Sequence, residues 1–146
     1  RALPKARTAE VALHACDTAT DDALARAVRW QAPLVLAAPC CHHDIAAQLR
    51  TTPPPAPYAM LTRDGILRER FADTLTDALR ASLLKSQGYR VDVMEFVESA
   101  HTPRNTLLRA VRTGRATDRD DYNELIAAWG VRPRLGELLA TGPAEG

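Results

Sequence analysis

Two short apolar runs near the start of the chain enclose an amphipathic stretch. The first run is AEVALHA, and the second, APLVLAA, is continuously apolar, as is typical of strands buried on both faces of a parallel sheet. Between them, Leu24, Ala27 and Val28 share one helical face. Capping residues and acids in CDTATDD precede that face and predict a helix over residues 21–30. Strand, helix and strand in this order predict a right-handed βαβ unit.

A proline-rich segment and a long amphipathic helix follow. The prolines of TTPPPAP exclude a helix and predict a stiff loop. No helix or strand is predicted for the segment before it, PCCHHDIAAQL. A helix begins near Asp64 and ends at Gly88 as its C-cap. Its apolar residues recur at every fourth position, with charged residues on the other faces. The apolar positions are Leu67, Phe71, Leu75, Leu79 and Leu83, and the charged positions are Arg68, Arg70, Asp73, Asp77 and Arg80.

Two further strands and two short helices complete the pattern. YRVDVMEFV and TLLRAVR predict strands, and with no helix between them they should form an antiparallel hairpin. The tail predicts two short helices broken by GVRP. The order is β-α-β-loop-α-β-β-α, an α/β fold whose parallel strands end in an antiparallel hairpin. We assign residues 1–115 to one domain and residues 116–146 to a short helical extension, and expect Trp30 and Trp129 to pack in the interior.

Composition narrows the function classes. The 146 residues, 46% of them hydrophobic, suit one domain. The net charge of +1 gives no global sign of a nucleic-acid or membrane binder. Three cysteines, two of them adjacent, argue against a disulfide framework and for a reducing, cytoplasmic setting. The apolar stretches are short and interrupted, so we expect no membrane span.

The polar clusters that follow the two apolar runs carry the candidate chemistry. LHACDTATD closes the first run and PCCHH closes the second. Because ligands bind outside the carboxyl ends of the strands in open α/β sheets, both clusters should lie on one rim. The side chains expected to converge there are His14, Cys16, Asp17, Cys40, Cys41, His42 and His43.

These two clusters also carry a family resemblance. LHACDTATDDAL followed by PCCHHDI resembles the class I S-adenosylmethionine-dependent methyltransferases, in the group that includes the CCHH-containing tRNA ribose methyltransferases and their methyltransferase-like relatives. DGILRER and ESAHTPRNTLLRAVR are similar to segments of bacterial members, so the likeness runs over about residues 11–112. It implies a Rossmann-like sheet, S-adenosylmethionine as cofactor, and a methyl acceptor of which RNA is the implied class.

The resemblance implies roles for the residues on the rim. The segment after the first strand would contact the cofactor, and the segment after the second strand would form one side of the pocket for the methyl acceptor. The cofactor-binding residues predicted in this way are His14, Ala15, Cys16 and Asp17. Histidine readily exchanges a proton near neutral pH, so His42 and His43 are the catalytic candidates, and Asp17 could orient one of them or the cofactor amine.

Two departures from the group bear on this site. Asp17 stands where eukaryotic relatives have glycine, and the chain has no E/D-x-G-x-G element to hold the methionine end of the cofactor. The chain also starts without a methionine. We therefore expect the C-terminal half of a methyltransferase sheet, partnered by a missing N-terminal half, inactive alone and a weak binder of the cofactor. The sheet edge left exposed could pair with a second copy to form a homodimer.

Other interpretations of the rim stay open. A zinc site would need Cys16 with one further cysteine and one histidine, because four consecutive residues cannot easily supply a tetrahedron; we expect no metal. A thiol enzyme would need Cys40 or Cys41 as a thiolate beside an oriented histidine. These cysteines could instead pack as small apolar residues. The chain could also be a non-catalytic interaction domain with the same fold.

Basic residues gather near and after the predicted hairpin. They are His101, Arg104, Arg109, Arg112, Arg115 and Arg119. They could follow the phosphate backbone of an RNA acceptor. The neighbouring Asp118, Asp120 and Asp121 favour a solvated surface of mixed charge instead.

Overall fold

The structure, a computed structural model, describes residues 10–13, 17–39, 42–95 and 106–141. The strands described are β1 (Glu10–Leu13), β2 (Leu34–Ala38), β3 (Tyr89–Glu95) and β4 (Thr106–Arg112). The helices described are α1 (Thr18–Arg29), α2 (His43–Thr51), α3 (Gly65–Ser86), α4 (Asp120–Trp129), α5 (Arg134–Ala140) and a short 3-10 helix, Tyr58–Leu61. The chain is therefore of the α/β class, as the sequence predicted.

The strands form one sheet in the order β1-β2-β4-β3. β1 and β2 pair in parallel, with Leu13 opposite Ala38 at their carboxyl ends. β4 lies antiparallel to both of its neighbours, with Ala110 opposite Val35 on one side and Val91 on the other. The predicted antiparallel hairpin of β3 and β4 is confirmed. Since β3 runs opposite to β4, it points in the same direction as β1 and β2.

The two longer predicted helices form close to their expected bounds. α1 begins at Thr18 rather than residue 21, and its buried Leu24 and Ala27 lie on the predicted apolar face. α3 begins directly after Asp64 and ends at Ser86. Gly88 follows with a φ of 91°, which permits the reversal into β3.

The prediction of a loop after β2 is wrong over part of its length, because α2 begins at His43. Its Ile45, Ala46 and Leu49 are buried, so three apolar side chains at helical spacing pack one face of this short helix. Asp44 lies in the first turn, where a carboxylate is favourable against the helix dipole. Periodicity is hard to detect over so few residues, and the helix is stabilised mainly by packing.

The last two helices confirm the predicted break at GVRP and join the same core. Trp129 is 6% exposed, and Leu135 of α5 is fully buried. Gly130 ends α4 with a φ of 63°, the left-handed conformation that commonly terminates helices. The prediction for Trp30 is wrong, because its side chain is 46% exposed at the end of α1, with Arg26 lying 6.0 Å from its ring centre.

The length and apolar content of the described helices were compared with those of a membrane span. Within residues 10–13, 17–39, 42–95 and 106–141, none is both long and apolar enough to cross a bilayer.

Candidate functional site

Asp17 occupies an unusual backbone turn at the rim of the sheet. It lies at the N-cap of α1, shortly after the carboxyl end of β1, with a φ of 47°. Positive φ values favour glycine over residues with a Cβ. The turn at Asp17 therefore has a backbone conformation that suits glycine better than aspartate.

The carboxylate of Asp17 connects the two segments that follow β1 and β2. Its Oδ1 accepts a hydrogen bond of 3.2 Å from the backbone N–H of Asp44 in α2. The carbonyl oxygen of Asp17 accepts a second bond, of 3.0 Å, from Nη2 of Arg80 in α3. The parallel register and these two bonds place the start of α1, the start of α2 and the middle of α3 together at one edge of the sheet.

The adjacent histidines His42 and His43 have different environments. His42 precedes α2 and is 7% exposed. Its Nε2 lies 3.0 Å from Oδ1 of Asp77, and its Nδ1 lies 3.0 Å from Oδ1 of Asp73. His43 is the first residue of α2 and is exposed. His42 is therefore held between two carboxylates of α3, whereas His43 faces solvent at the rim.

Arg80 and Asp21 form a buried ion pair beneath the rim. Nε of Arg80 donates to Oδ1 of Asp21 at 2.8 Å, and Nη2 donates to Oδ2 at 3.2 Å. Arg80 is 2% exposed and Asp21 is 5% exposed. Burial raises the pKa of Asp21 above its ordinary value of 3.8, and the hydrogen bonds and positive charge of Arg80 oppose this rise.

The same network continues from Arg80 to the buried histidine. Nη1 of Arg80 lies 3.8 Å from Oδ1 of Asp77, the oxygen that also contacts His42. A cavity beside Asp17, Asp21 and Arg80 has a volume of about 10 Å³, which is room for about one water molecule. The buried network therefore supports the rim and is too tightly packed to hold a substrate.

The sequence pattern did not identify the buried part of this network. Helical periodicity placed Asp77 and Arg80 on the outer faces of α3, and both are buried instead. Burial of these charges is tolerated because each has an oppositely charged or hydrogen-bonding partner. The spacing of Asp73, Asp77 and Arg80 places all three on one side of a helix, which is the signal that could have indicated a polar face turned inward.

Part of the predicted rim lies outside the described residues. His14, Ala15 and Cys16, predicted to bind the cofactor, are among these, as are Cys40 and Cys41. In the part of the chain that the structure does describe, no group of three or more His, Cys, Asp or Glu side chains is arranged to hold a metal ion. The structure brings together Asp17, His42 and His43 from the predicted set, through α2 and the N-terminus of α1.

The environment of Asp17 predicts different stabilities for two variants that both lack its carboxylate. Asp17→Gly removes the side-chain bond to Asp44 and relieves the positive φ, whereas Asp17→Ala removes the bond and keeps the unfavourable φ. We expect Asp17→Ala to be less stable than Asp17→Gly by about 1 kcal/mol. Urea unfolding followed by circular dichroism measures the difference. Equal stability of the two variants, or a more stable alanine variant, would contradict the assigned backbone conformation.

Comparisons with known proteins bear on this rim. The comparison with curated proteins and the comparison with solved structures each found no match. A family model described as a methyltransferase domain matches residues 1–48. The matched residues contain β1, α1 and β2 and reach into α2, so they include the segments that follow both strands. The match supports a methyltransferase domain in this part of the chain.

Proposed function

We propose that the chain carries the acceptor side of an S-adenosylmethionine-dependent methyltransferase site. The observation that carries the proposal is the coincidence of the family match with the rim. Residues 1–48 match a methyltransferase domain, and within them Leu13 and Ala38 end parallel strands side by side. Ligands of open α/β sheets bind at this edge.

The order of the strands supports the same proposal. β4 is inserted antiparallel between β2 and β3, which run in one direction with β1. This is the layout of the C-terminal half of a Rossmann-like class I methyltransferase sheet. In the proposal, residues 1–115 form that half and residues 116–146 form a helical extension of it. A cytoplasmic location belongs to the proposal because the three cysteines suit a reducing compartment.

The chemistry of the rim suits the charge of the proposed cofactor. S-adenosylmethionine supplies an electrophilic methyl group on a cationic sulfonium. The described rim provides the carboxylates of Asp17 and Asp44 beside the end of β1, and these favour positive charge. We assign cofactor contact to His14, Ala15, Cys16 and Asp17, with Asp17 favouring the positively charged end.

The two histidines take separate roles in this proposal. Exposed His43 is the group placed to accept a proton from a hydroxyl or ring nitrogen of the acceptor. Buried His42, between Asp73 and Asp77, holds the start of α2 against α3 and so positions His43. Asp17 contributes by fixing the same helix start through its bond to Asp44.

RNA is the acceptor class that we propose, with the family resemblance as its main support. Arg112 and Arg115 are exposed at and just after the end of β4. Because β4 runs antiparallel to β2, with Val111 opposite Leu34, these arginines lie at the edge of the sheet away from the rim and do not add support for phosphate contact there. Arg109 lies 3.4 Å from Asp92, and Nε of Arg119 donates to Ser86, so these two arginines are partly engaged within the chain.

A titration of the ¹⁵N-labelled chain with S-adenosylmethionine tests the proposal. We expect saturable shifts of the Asp17, His43 and Asp44 amides with a dissociation constant of about 1 mM, because the chain lacks an E/D-x-G-x-G loop. S-adenosylhomocysteine lacks the methyl group and the positive charge, so it should bind several-fold more weakly.

Two aspartate variants on α1 and its N-cap provide the control. Asp17→Asn should remove the preference for the charged cofactor, whereas Asp22→Asn, on the exposed side of α1, should keep it. Rim amides that do not move at about 10 mM cofactor would contradict cofactor binding at this edge. Micromolar affinity would contradict the inference that this chain holds only part of the cofactor site.

A further inference from the structure

A groove between α3, α4 and the 3-10 helix lies apart from the rim. Its volume is about 500 Å³, within the range of about 300–1,000 Å³ that is usual for small-molecule sites. Phe71, Leu75 and Ala78 of α3 line it, on a different face of the helix from Asp77 and Arg80, which belong to the buried network. We call this feature the α3–α4 groove.

The floor of the α3–α4 groove is aromatic and held in place by the fold. The rings of Phe71 and Trp129 have centres 4.5 Å apart, and those of Tyr58 and Trp129 are 6.2 Å apart. Trp129 is 6% exposed and Leu75 is 3% exposed. Because these side chains are already fixed by packing, a ligand would not have to order them on binding.

The mouth of the groove leaves apolar surface exposed to water. Tyr58 is 51% exposed and Leu61 is 43% exposed, and both line the groove. A ligand with a flat apolar body would cover these side chains while lying against Phe71 and Trp129, and burial of that surface would favour binding.

The charges that line the groove are all negative. Asp121 and Glu124 project into its lining from α4, and no lysine or arginine lines it. Their spacing of three residues puts both carboxylates on one side of the helix. Among the residues that the structure describes, no ion pair engages either carboxylate. An anionic ligand would therefore be repelled, and a cation would find two unneutralised partners.

We propose that the α3–α4 groove binds an organic cation with a flat apolar body and one protonated amine. The apolar body lies against Phe71, Leu75 and Trp129, and the ammonium group lies near Asp121 and Glu124. The electron-rich faces of the aromatic rings add a further attraction for positive charge. The site uses none of the rim residues, so it stands independently of the proposed methyl transfer.

Three probes that share a naphthalene ring and differ in the charge of one substituent test this proposal. The complete ¹⁵N-labelled chain is titrated at pH 7 with 1-naphthylmethylamine, which is cationic, with neutral 1-naphthylmethanol and with the 1-naphthaleneacetate anion. We expect the amine to bind at least about tenfold more tightly than the alcohol, and the acetate to bind most weakly. The indole N–H of Trp129 should shift on binding, and that of Trp30 should not.

Variants at exposed positions distinguish the effect of the two carboxylates on probe binding from the effect of the shape of the groove. The double variant Asp121→Asn with Glu124→Gln should remove the preference for the amine and leave binding of the alcohol unchanged. Asp120→Asn, in the same helical turn and not in the groove lining, is the matched control and should keep the preference. Ala128→Phe, at an exposed lining position, should weaken binding of all three probes by filling the groove.

Several outcomes would overturn the proposal. Equal affinity for the three probes would show that the groove does not select cations. If the amine did not bind at about 10 mM, the groove would not be a binding site for such a ligand. Because Asp120→Asn removes one negative charge and the double variant removes two, a weakening by Asp120→Asn of half or more of that in the double variant would show a general effect of net charge. Shifts confined to Asp17 and Asp44 would place the amine at the rim instead.

Discussion

Arg80→Ala is expected to destabilise the chain by about 3–5 kcal/mol, because it leaves buried Asp21 without its charge partner. Arg80 also donates to the carbonyl oxygen of Asp17, so the same change leaves the rim turn with one bond fewer. Domains of this size are stable by about 5–15 kcal/mol, and the variant should therefore unfold at a much lower urea concentration. Urea unfolding followed by circular dichroism measures the loss.

Matched variants show whether the loss of stability comes from the buried ion pair of Arg80 and Asp21. Arg70→Ala removes an exposed arginine from the same helix and should change stability by less than about 0.5 kcal/mol. Arg80→Lys keeps the charge without the forked geometry that reaches both oxygens of Asp21 and the Asp17 carbonyl, so it should fall between the two. A loss in Arg80→Ala no larger than in Arg70→Ala would contradict the buried pair.

The pH dependence of the stability lost in Arg80→Ala provides a separate check on the buried ion pair. The pKa of Asp21 is already raised by burial, and Arg80 opposes the rise, so removing Arg80 should raise that pKa further. A carboxyl group with a raised folded-state pKa binds more protons when folded, and stability then falls as pH increases above its ordinary value of 3.8. The gap between Arg80→Ala and the unaltered chain should therefore widen from about pH 4 towards neutral pH.

The features that the sequence predicted are those determined by local apolar patterns. The continuous apolar run of β2 predicted a parallel pair, and the lack of a helical pattern in the sequence between YRVDVMEFV and TLLRAVR predicted an antiparallel pair. Both pairings form. The order of strands across the sheet, with β4 between β2 and β3, depends on contacts between distant segments. No local pattern in the chain specifies that order.

The features that the sequence did not predict depend on which way a polar side chain faces. The sequence predicted that Asp77 and Arg80 face solvent, because charged helix residues usually do. Asp77 instead contacts His42, 35 residues away in the chain, and Arg80 contacts Asp21, 59 residues away. His42 and His43 are the same residue type in adjacent positions. His42 is buried as the N-cap of α2, and His43, the first residue of that helix, is exposed.

His42→Ala should mainly lower stability, whereas His43→Ala should mainly lower the rate of the proposed methyl transfer. His42→Ala should cost about 2–3 kcal/mol, because buried Asp77 loses its contact of 3.0 Å with Nε2. His43→Ala removes an exposed side chain and should change stability by less than about 0.5 kcal/mol. Urea unfolding of both variants measures this difference, and equal losses would contradict the separate environments of the two rings.

The activity of the same two variants distinguishes a proton acceptor from a positioning residue. In an assay of the proposed activity that includes the missing cofactor-binding half, with transfer of tritium from labelled S-adenosylmethionine to RNA, His43→Ala should lower kcat by about 10²–10⁴-fold at unchanged stability. His42→Asn retains a polar side chain beside Asp77 and should reduce the rate by less, since it disturbs only the position of α2. Full activity of His43→Ala would show that His43 is not the base. His42 could not replace it, because it is buried between Asp73 and Asp77 and cannot reach an acceptor unless α2 moves. The rim would then serve for binding alone.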